Sequence, residues 1–251
     1  MHILHLSDLH FHRDQAKNTR ALQILRAVET QYPSHYVVIT GDISDDGDRG
    51  QLDNALEALR PLAGRLSIIP GNHDGGPAGN FYMARCVRDF DEILCARLGS
   101  SARFYDKLPA THTTVVGGIK ILFIGLNSNL PTTQPFDFAC GEVGDSQIAA
   151  LDGILTAPSS VGFTKIVYLH HHPFVCNDPF MQLVDAQKFM RALYQRADVL
   201  LFGHRHVSGV WSNRGGIRLI SASDSTPESM KAREIEISEA GIFARDVLLE
   251  S

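Results

Sequence analysis

Tyr36-Val37-Val38-Ile39-Thr40-Gly41-Asp42 reads as a buried strand that ends on a glycine and a carboxylate. Its β-branched run suits a pleated surface with apolar neighbours. The same pattern recurs on either side. Ile3-Leu4-His5-Leu6 is followed by Ser7-Asp8-Leu9-His10, and Leu66-Ser67-Ile68-Ile69 by Pro70-Gly71-Asn72-His73-Asp74. Between these runs, Ala21, Leu22, Leu25 and Val28, and then Leu52, Ala55, Leu56 and Leu59, return at helical spacing. Strand, helix, strand, helix, strand predicts right-handed crossovers and a mainly parallel sheet.

The rest of the chain extends this reading. Residues 75–110 are irregular and partly helical, with Arg85, Arg88, Arg97 and Arg103. Residues 113–116 and 119–126 predict a hairpin around Gly117-Gly118. Residues 145–155 and 185–196 predict helices, and 166–169 and 199–202 strands. The tail, 210–248, predicts several antiparallel strands with Gly-rich turns. An α/β beginning and a β-rich end point to two sheets packed face to face, with helices outside. No repeat or linker divides the 251 residues, so one domain is expected, with 75–110 as a candidate specificity insert.

With 23 basic against 28 acidic residues, the formal charge is -5, which argues against a protein that grips nucleic acid mainly through phosphates. The start has no positive region followed by a long apolar one, and no apolar run is long enough for a membrane span. Cys86, Cys95, Cys140 and Cys176 form no C-x-x-C pair. Packed, reduced thiols and a cytoplasmic location are the expectation, with a Cys86–Cys95 bridge as the alternative.

Twelve histidines is the informative number, because they cluster at strand ends. To the three clusters above, the chain adds His170-His171-His172-Pro173 after the strand at 166 and Gly203-His204-Arg205-His206 after the strand at 199. Ligands of open α/β sheets bind beyond the carboxyl ends of strands. Mixed imidazole and carboxylate donors suit Mn, Fe, Co, Ni or Zn better than Ca or Mg. Two such ions about 3.5–4 Å apart can activate a hydroxide and clamp a phosphoryl group.

The order Asp8-x-His10, Gly41-Asp42, Gly71-Asn72-His73-Asp74, His171, Gly203-His204-x-His206 resembles the calcineurin-like metallophosphoesterases. The resemblance covers most of the chain and implies an α/β/β/α sandwich of two sheets flanked by helices. It implies that Asp8, His10 and His206 bind one divalent transition-metal ion, that Asn72, His171 and His204 bind another, and that Asp42 bridges. Within the triple histidine, His171 is preferred as the ligand, with His170 the alternative. The resemblance places His73 at the leaving-group oxygen as general acid or charge stabiliser, with Asp74 holding its ring. His12, His172 and Arg205 are candidate substrate contacts; for His12 and Arg205 a solvent-facing role is equally open. Asp45, Asp46 and Asp48 read as a solvated turn and helix start, and His5 as a core histidine.

The function these residues imply is hydrolysis of a small phosphodiester by metal-bound hydroxide. A 3′,5′-cyclic nucleotide leads, because residues 41–47 and the compact length resemble class III cyclic-nucleotide phosphodiesterases and glycerophosphodiester-type relatives. The rivals are a DNA nuclease, a nucleotide or protein phosphomonoesterase, and a non-catalytic metal-binding scaffold. A homodimer through residues 75–110 or the tail is a further expectation.

Overall fold

The computed structural model describes residues 1–131, 139–174 and 178–249; Cys176 lies outside them. The first strands are β1 (His2–Leu6), β2 (Tyr36–Thr40) and β3 (Leu66–Ile69), joined by helices α1 (Thr19–Gln31) and α2 (Arg49–Leu59). All three run parallel, with Leu6 beside Ile39 and Thr40 beside Ile69. Residues 75–110 hold the short helix α3 (Ala84–Asp89), a π-helical turn Phe90–Cys95 and isolated 3-10 turns. Then come β4 (Ala110–Val116), β5 (Ile119–Gly125), α4 (Asp145–Thr156), β6 (Thr164–Tyr168), α5 (Ala186–Leu193) and β7 (Val199–Phe202). The tail forms β8 (Gly209–Arg214), β9 (Ile217–Ala222), β10 (Lys231–Ser238) and β11 (Gly241–Leu248).

The strands make two sheets, ordered β11-β10-β1-β2-β3 and β4-β5-β6-β7-β9-β8. The tail therefore divides between them. It is also not wholly antiparallel, because β9 runs parallel to β7.

Alternation along the second sheet sets the layers. Ile121, Phe123, Ile166, Tyr168, Val199, Leu201 and Leu219 pack into the core shared with the first sheet. Leu122, Ile124, Val167, Leu169, Leu200, Phe202 and Ile220 turn the other way, against Leu151 and Leu155 of α4 and Phe189 and Leu193 of α5. Helices α1 and α2 bury Ile24, Val28, Leu52 and Leu56 in the first core. The result is the expected α/β/β/α sandwich. Cys86 and Cys95 are buried free thiols and not a bridge. Among the described residues no helix is long and apolar enough to cross a membrane.

His5 is fully buried in β1, its Nε2 2.9 Å from Thr40 Oγ1. Burial, helped by the Arg233 charge, drops its pKa to about 3. The unfolded chain binds a proton there below about pH 6.5 while the folded chain does not. Stability from this group is complete above that pH and declines as pH falls toward 3, by up to roughly 1.4 kcal/mol per pH unit. His5→Leu should therefore flatten the acid limb of stability between about pH 6 and 4. Urea denaturation at a series of pH values checks this, and an unchanged limb would contradict it.

Candidate metal centre

Strands β1, β2 and β3 end on one edge of the first sheet, and β6 and β7 end on one edge of the second. Hydrogen bonds between loops then bring these ends together. Asp8 N–H donates to Gly41 O (3.0 Å), His10 N–H to Asp42 O (2.9 Å) and Gly203 N–H to His170 O (3.0 Å). The sheets are tied by His204 N–H donating to Asp8 Oδ1 (3.2 Å) and His170 Nδ1–H to Thr40 O (2.7 Å).

Two donor groups meet at Asp42. In one, His206 Nε2 lies 3.4 Å from His10 Nε2 and 3.7 Å from Asp8 Oδ1, and His10 Nε2 is 4.0 Å from Asp42 Oδ2. In the other, His170 Nε2 lies 2.9 Å from Asn72 Oδ1 and 3.2 Å from Asp42 Oδ2. His204 Nδ1 joins it at 3.0 Å from Asn72 Oδ1 and 3.3 Å from His170 Nε2.

The residues fit divalent cations. Asp8 Oδ2 is a buried carboxylate oxygen with no hydrogen-bond partner in the protein. A buried, unpaired acceptor of this kind is costly unless a cation meets it. Burial pushes the His170 pKa down, but Asp42 and Asp8 overcome this and raise it to about 9. Burial raises Asp42, yet His170, His73 and His10 hold it well below the usual carboxylate range. The cluster thus draws positive charge to the point where its carboxylates converge. His10 and His204, lowered by burial to about 4 and about 3, stay neutral and keep lone pairs for a metal.

Asp8, His10, Asp42, His204 and His206 all have positive φ, between 47° and 78°. Left-handed backbone in such residues costs energy, and it collects at functional sites where surrounding structure enforces it. Gly41, at φ 90°, makes the approach of the sheets possible: a Cβ there would sit 2.7 Å from His170 Nδ1.

The triple histidine resolves differently from the sequence preference. His170, not His171, meets Asp42 and Asn72. Ser128 Oγ accepts the backbone N–H groups of His170 (3.3 Å) and His171 (3.2 Å), so its own proton goes to His171 Nδ1 at 2.8 Å. His171 Nε2 is buried without a hydrogen-bond partner, and His171 is in none of the donor clusters built on Asp42. His170 is oriented the other way, with Nδ1–H on a backbone carbonyl and Nε2 turned to Asn72 and Asp42, where a metal ion would displace its proton. A count of residues to the proline could not reveal this.

His73 sits over the first group, its ring 4.7 Å from that of His10 and its N–H donated to Asp42 Oδ1 (2.9 Å). Its Nδ1–H donates to Asp45 O (2.7 Å). Asp74 does not hold this ring as expected. It is fully buried and accepts from Ile43 N, Ser44 N, Ser44 Oγ and Gly71 N, locking the second and third loops together.

Asp45 is the residue that sequence reasoning missed. Besides that carbonyl, its carboxylate lies 3.2 Å from His12 Nδ1 and 3.7 Å from His10 Nδ1. Its place three residues after Asp42 was the available signal. Asp48, by contrast, caps α2 as a helix start should. Of the substrate candidates, His12 faces Asp45 at the edge of the centre, and Arg205 is exposed between His204 and His206. His172 turns away into a cluster with Phe202, Phe174 and Trp211, where its Nδ1 accepts from Phe174 N.

Residues 1–208, which carry every one of these strand-end clusters, match the model of the calcineurin-like phosphoesterases. The chain belongs to this family. It is a metal-dependent hydrolase of phosphoesters. This phosphoesterase is 26% identical over 246 residues to a "Probable cyclic nucleotide phosphodiesterase" of Coxiella burnetii, covering 94% of this chain and 87% of the relative. It is 23% identical over 218 residues to a "3',5'-cyclic-nucleotide phosphodiesterase" of Nostoc sp., covering 81% and 71%. Its fold matches the crystal structure of a dimetal phosphatase from Danio rerio with a TM-score of 0.70 at 15% identity, covering 100% and 99% of the two chains.

Proposed function

We propose that this phosphoesterase hydrolyses a small phosphodiester, a 3′,5′-cyclic nucleotide first, at a centre of two divalent transition-metal ions. Asp8, His10 and His206 would hold one ion and Asn72, His170 and His204 the other, with Asp42 available to both. One observation carries the reading: Asp42 stands between the two donor groups while its other oxygen fixes the backbone of His73. Bound there, the ions supply a water nucleophile active at neutral pH and neutralise charge on the phosphoryl oxygens. The named activities of the relatives support the diester, and the charge of -5 speaks against a nucleic acid substrate.

The protein's own residues do the rest. Burial pushes His73 down, but Asp42 and the Asp45 carbonyl raise its pKa above the ordinary histidine value. With Nδ1–H committed to Asp45, Nε2 is the atom that gives a proton to the departing alkoxide. The Asp45 carboxylate also faces the outer nitrogen of His10, at 3.7 Å, and adds negative charge beside that ring.

The test is hydrolysis of bis(p-nitrophenyl) phosphate, p-nitrophenyl phosphate and 3′,5′-cyclic AMP with Mn²⁺, Fe²⁺, Co²⁺, Ni²⁺ and Zn²⁺. Diester preference with turnover of the cyclic nucleotide is expected. Monoester preference would make the enzyme a phosphatase, and inactivity on all three would favour a scaffold.

The two histidines separate in the same assay. His170→Ala should cut kcat by at least ~10²-fold and lower metal content, whereas His171→Phe should keep metal content and lose no more than about tenfold. The reverse order would restore His171 as the ligand.

A further inference from the structure

At the far end of β1 from Asp8, three residues distant in sequence form a second donor cluster. Leu4 pairs with Glu234 and His2 with Glu236, so His2 and Glu234 are diagonal neighbours on one face. Ile3 pairs with Tyr36, which brings His35, just before β2, alongside His2. Glu234 Oε1 lies 2.9 Å from His35 Nε2 and 3.3 Å from His2 Nδ1. One atom from each residue falls within 4.8 Å of the others.

We propose that His2, His35 and Glu234 form a peripheral binding site for one divalent transition-metal ion of the zinc class. Two imidazole nitrogens and one carboxylate oxygen are a recognised donor set for zinc, with further positions left to water. His2 is 47% exposed, so solvent reaches the side that the protein leaves open.

The donors are held in place from behind. Arg245 Nε (2.6 Å) and Nη2 (2.5 Å) both bind Glu234 Oε2, which turns Oε1 toward the histidines. Burial favours a neutral Glu234, but His35 and Arg245 outweigh it and keep the carboxyl ionised. Arg65 Nη1–H groups donate to the carbonyls of Tyr32 (3.0 Å) and His35 (2.6 Å), fixing the turn that presents His35. The Tyr32 ring meets that imidazole edge-on at 5.0 Å. Such outer contacts prepare a site by removing the freedom its ligands would otherwise lose.

The experiment is equilibrium dialysis of the full chain against Zn²⁺, followed by elemental analysis. Wild type should hold one Zn²⁺ per chain more than His2→Ala, His35→Ala or Glu234→Gln. All three variants should keep wild-type Mn²⁺-dependent hydrolysis of bis(p-nitrophenyl) phosphate. Adding His2→Ala to Asp42→Asn should remove one further ion, which separates this site from the catalytic reading. His2→Ala alters an exposed side chain, so it guards against loss of fold. Zn²⁺ should raise the wild-type Tm more than that of His2→Ala, because only the former gains the extra binding free energy. Equal zinc content in wild type and the three variants would overturn the proposal and leave the cluster as a hydrogen-bonded staple between β1, β2 and β10.

Discussion

Asp42→Asn should lower kcat on every phosphoester substrate by at least ~10³-fold, more than one oxyanion hydrogen bond contributes. The protein should stay folded. Asn tolerates the left-handed backbone at this position, where φ is 51°. Its amide oxygen can still accept the His73 N–H that Asp42 Oδ1 now accepts at 2.9 Å. What is lost is the charge that two donor groups share. His170 Nε2 lies 3.2 Å and His10 Nε2 4.0 Å from Asp42 Oδ2, so the substitution weakens both halves of the centre together. Metal content should fall with activity while the circular dichroism spectrum holds. A variant that kept kcat within tenfold would remove Asp42 from the centre.

His73→Ala should divide substrates by their leaving groups. For a diester that expels an alkoxide, kcat should drop by ~10²–10⁴-fold, the usual contribution of general acid catalysis. For bis(p-nitrophenyl) phosphate the loss should be no more than about tenfold, because p-nitrophenolate departs without protonation. The pH profile carries the same signature. The His73 pKa is raised, so the ring is protonated at low pH and loses its proton as pH rises through that value. With His73 as the acid, kcat/KM for the alkoxide substrate falls on that alkaline limb, and His73→Ala flattens it. Equal losses on both substrates would assign His73 to positioning alone.

The sequence carried the fold a long way. The β-branched run at β2, the helical spacing of Leu52, Ala55, Leu56 and Leu59, and the Gly117-Gly118 turn are local signals, and the structure follows them. The tail was harder. Strands β8 and β9 join one sheet while β10 and β11 join the other, with β10 antiparallel to β1. That partition depends on which edges are open once the sandwich forms, and no periodicity within 210–248 encodes it.

The residues that converge at the candidate centre were likewise legible, because metal chemistry restricts residue types and each cluster follows a strand. Asp8, His10, Asp42, Asn72, His204 and His206 could be named from spacing and resemblance. Only the tertiary structure sets His170, rather than His171, beside Asp42 and Asn72. That follows from the Thr40 carbonyl and the Ser128 hydroxyl, which lie 130 and 43 residues away along the chain. It also sent His172 into an aromatic cluster, made Asp74 a loop lock and brought Asp45 to His73. Residue type and strand order are properties of the chain itself. Tautomer, ring direction and left-handed backbone are fixed by partners that only folding brings near.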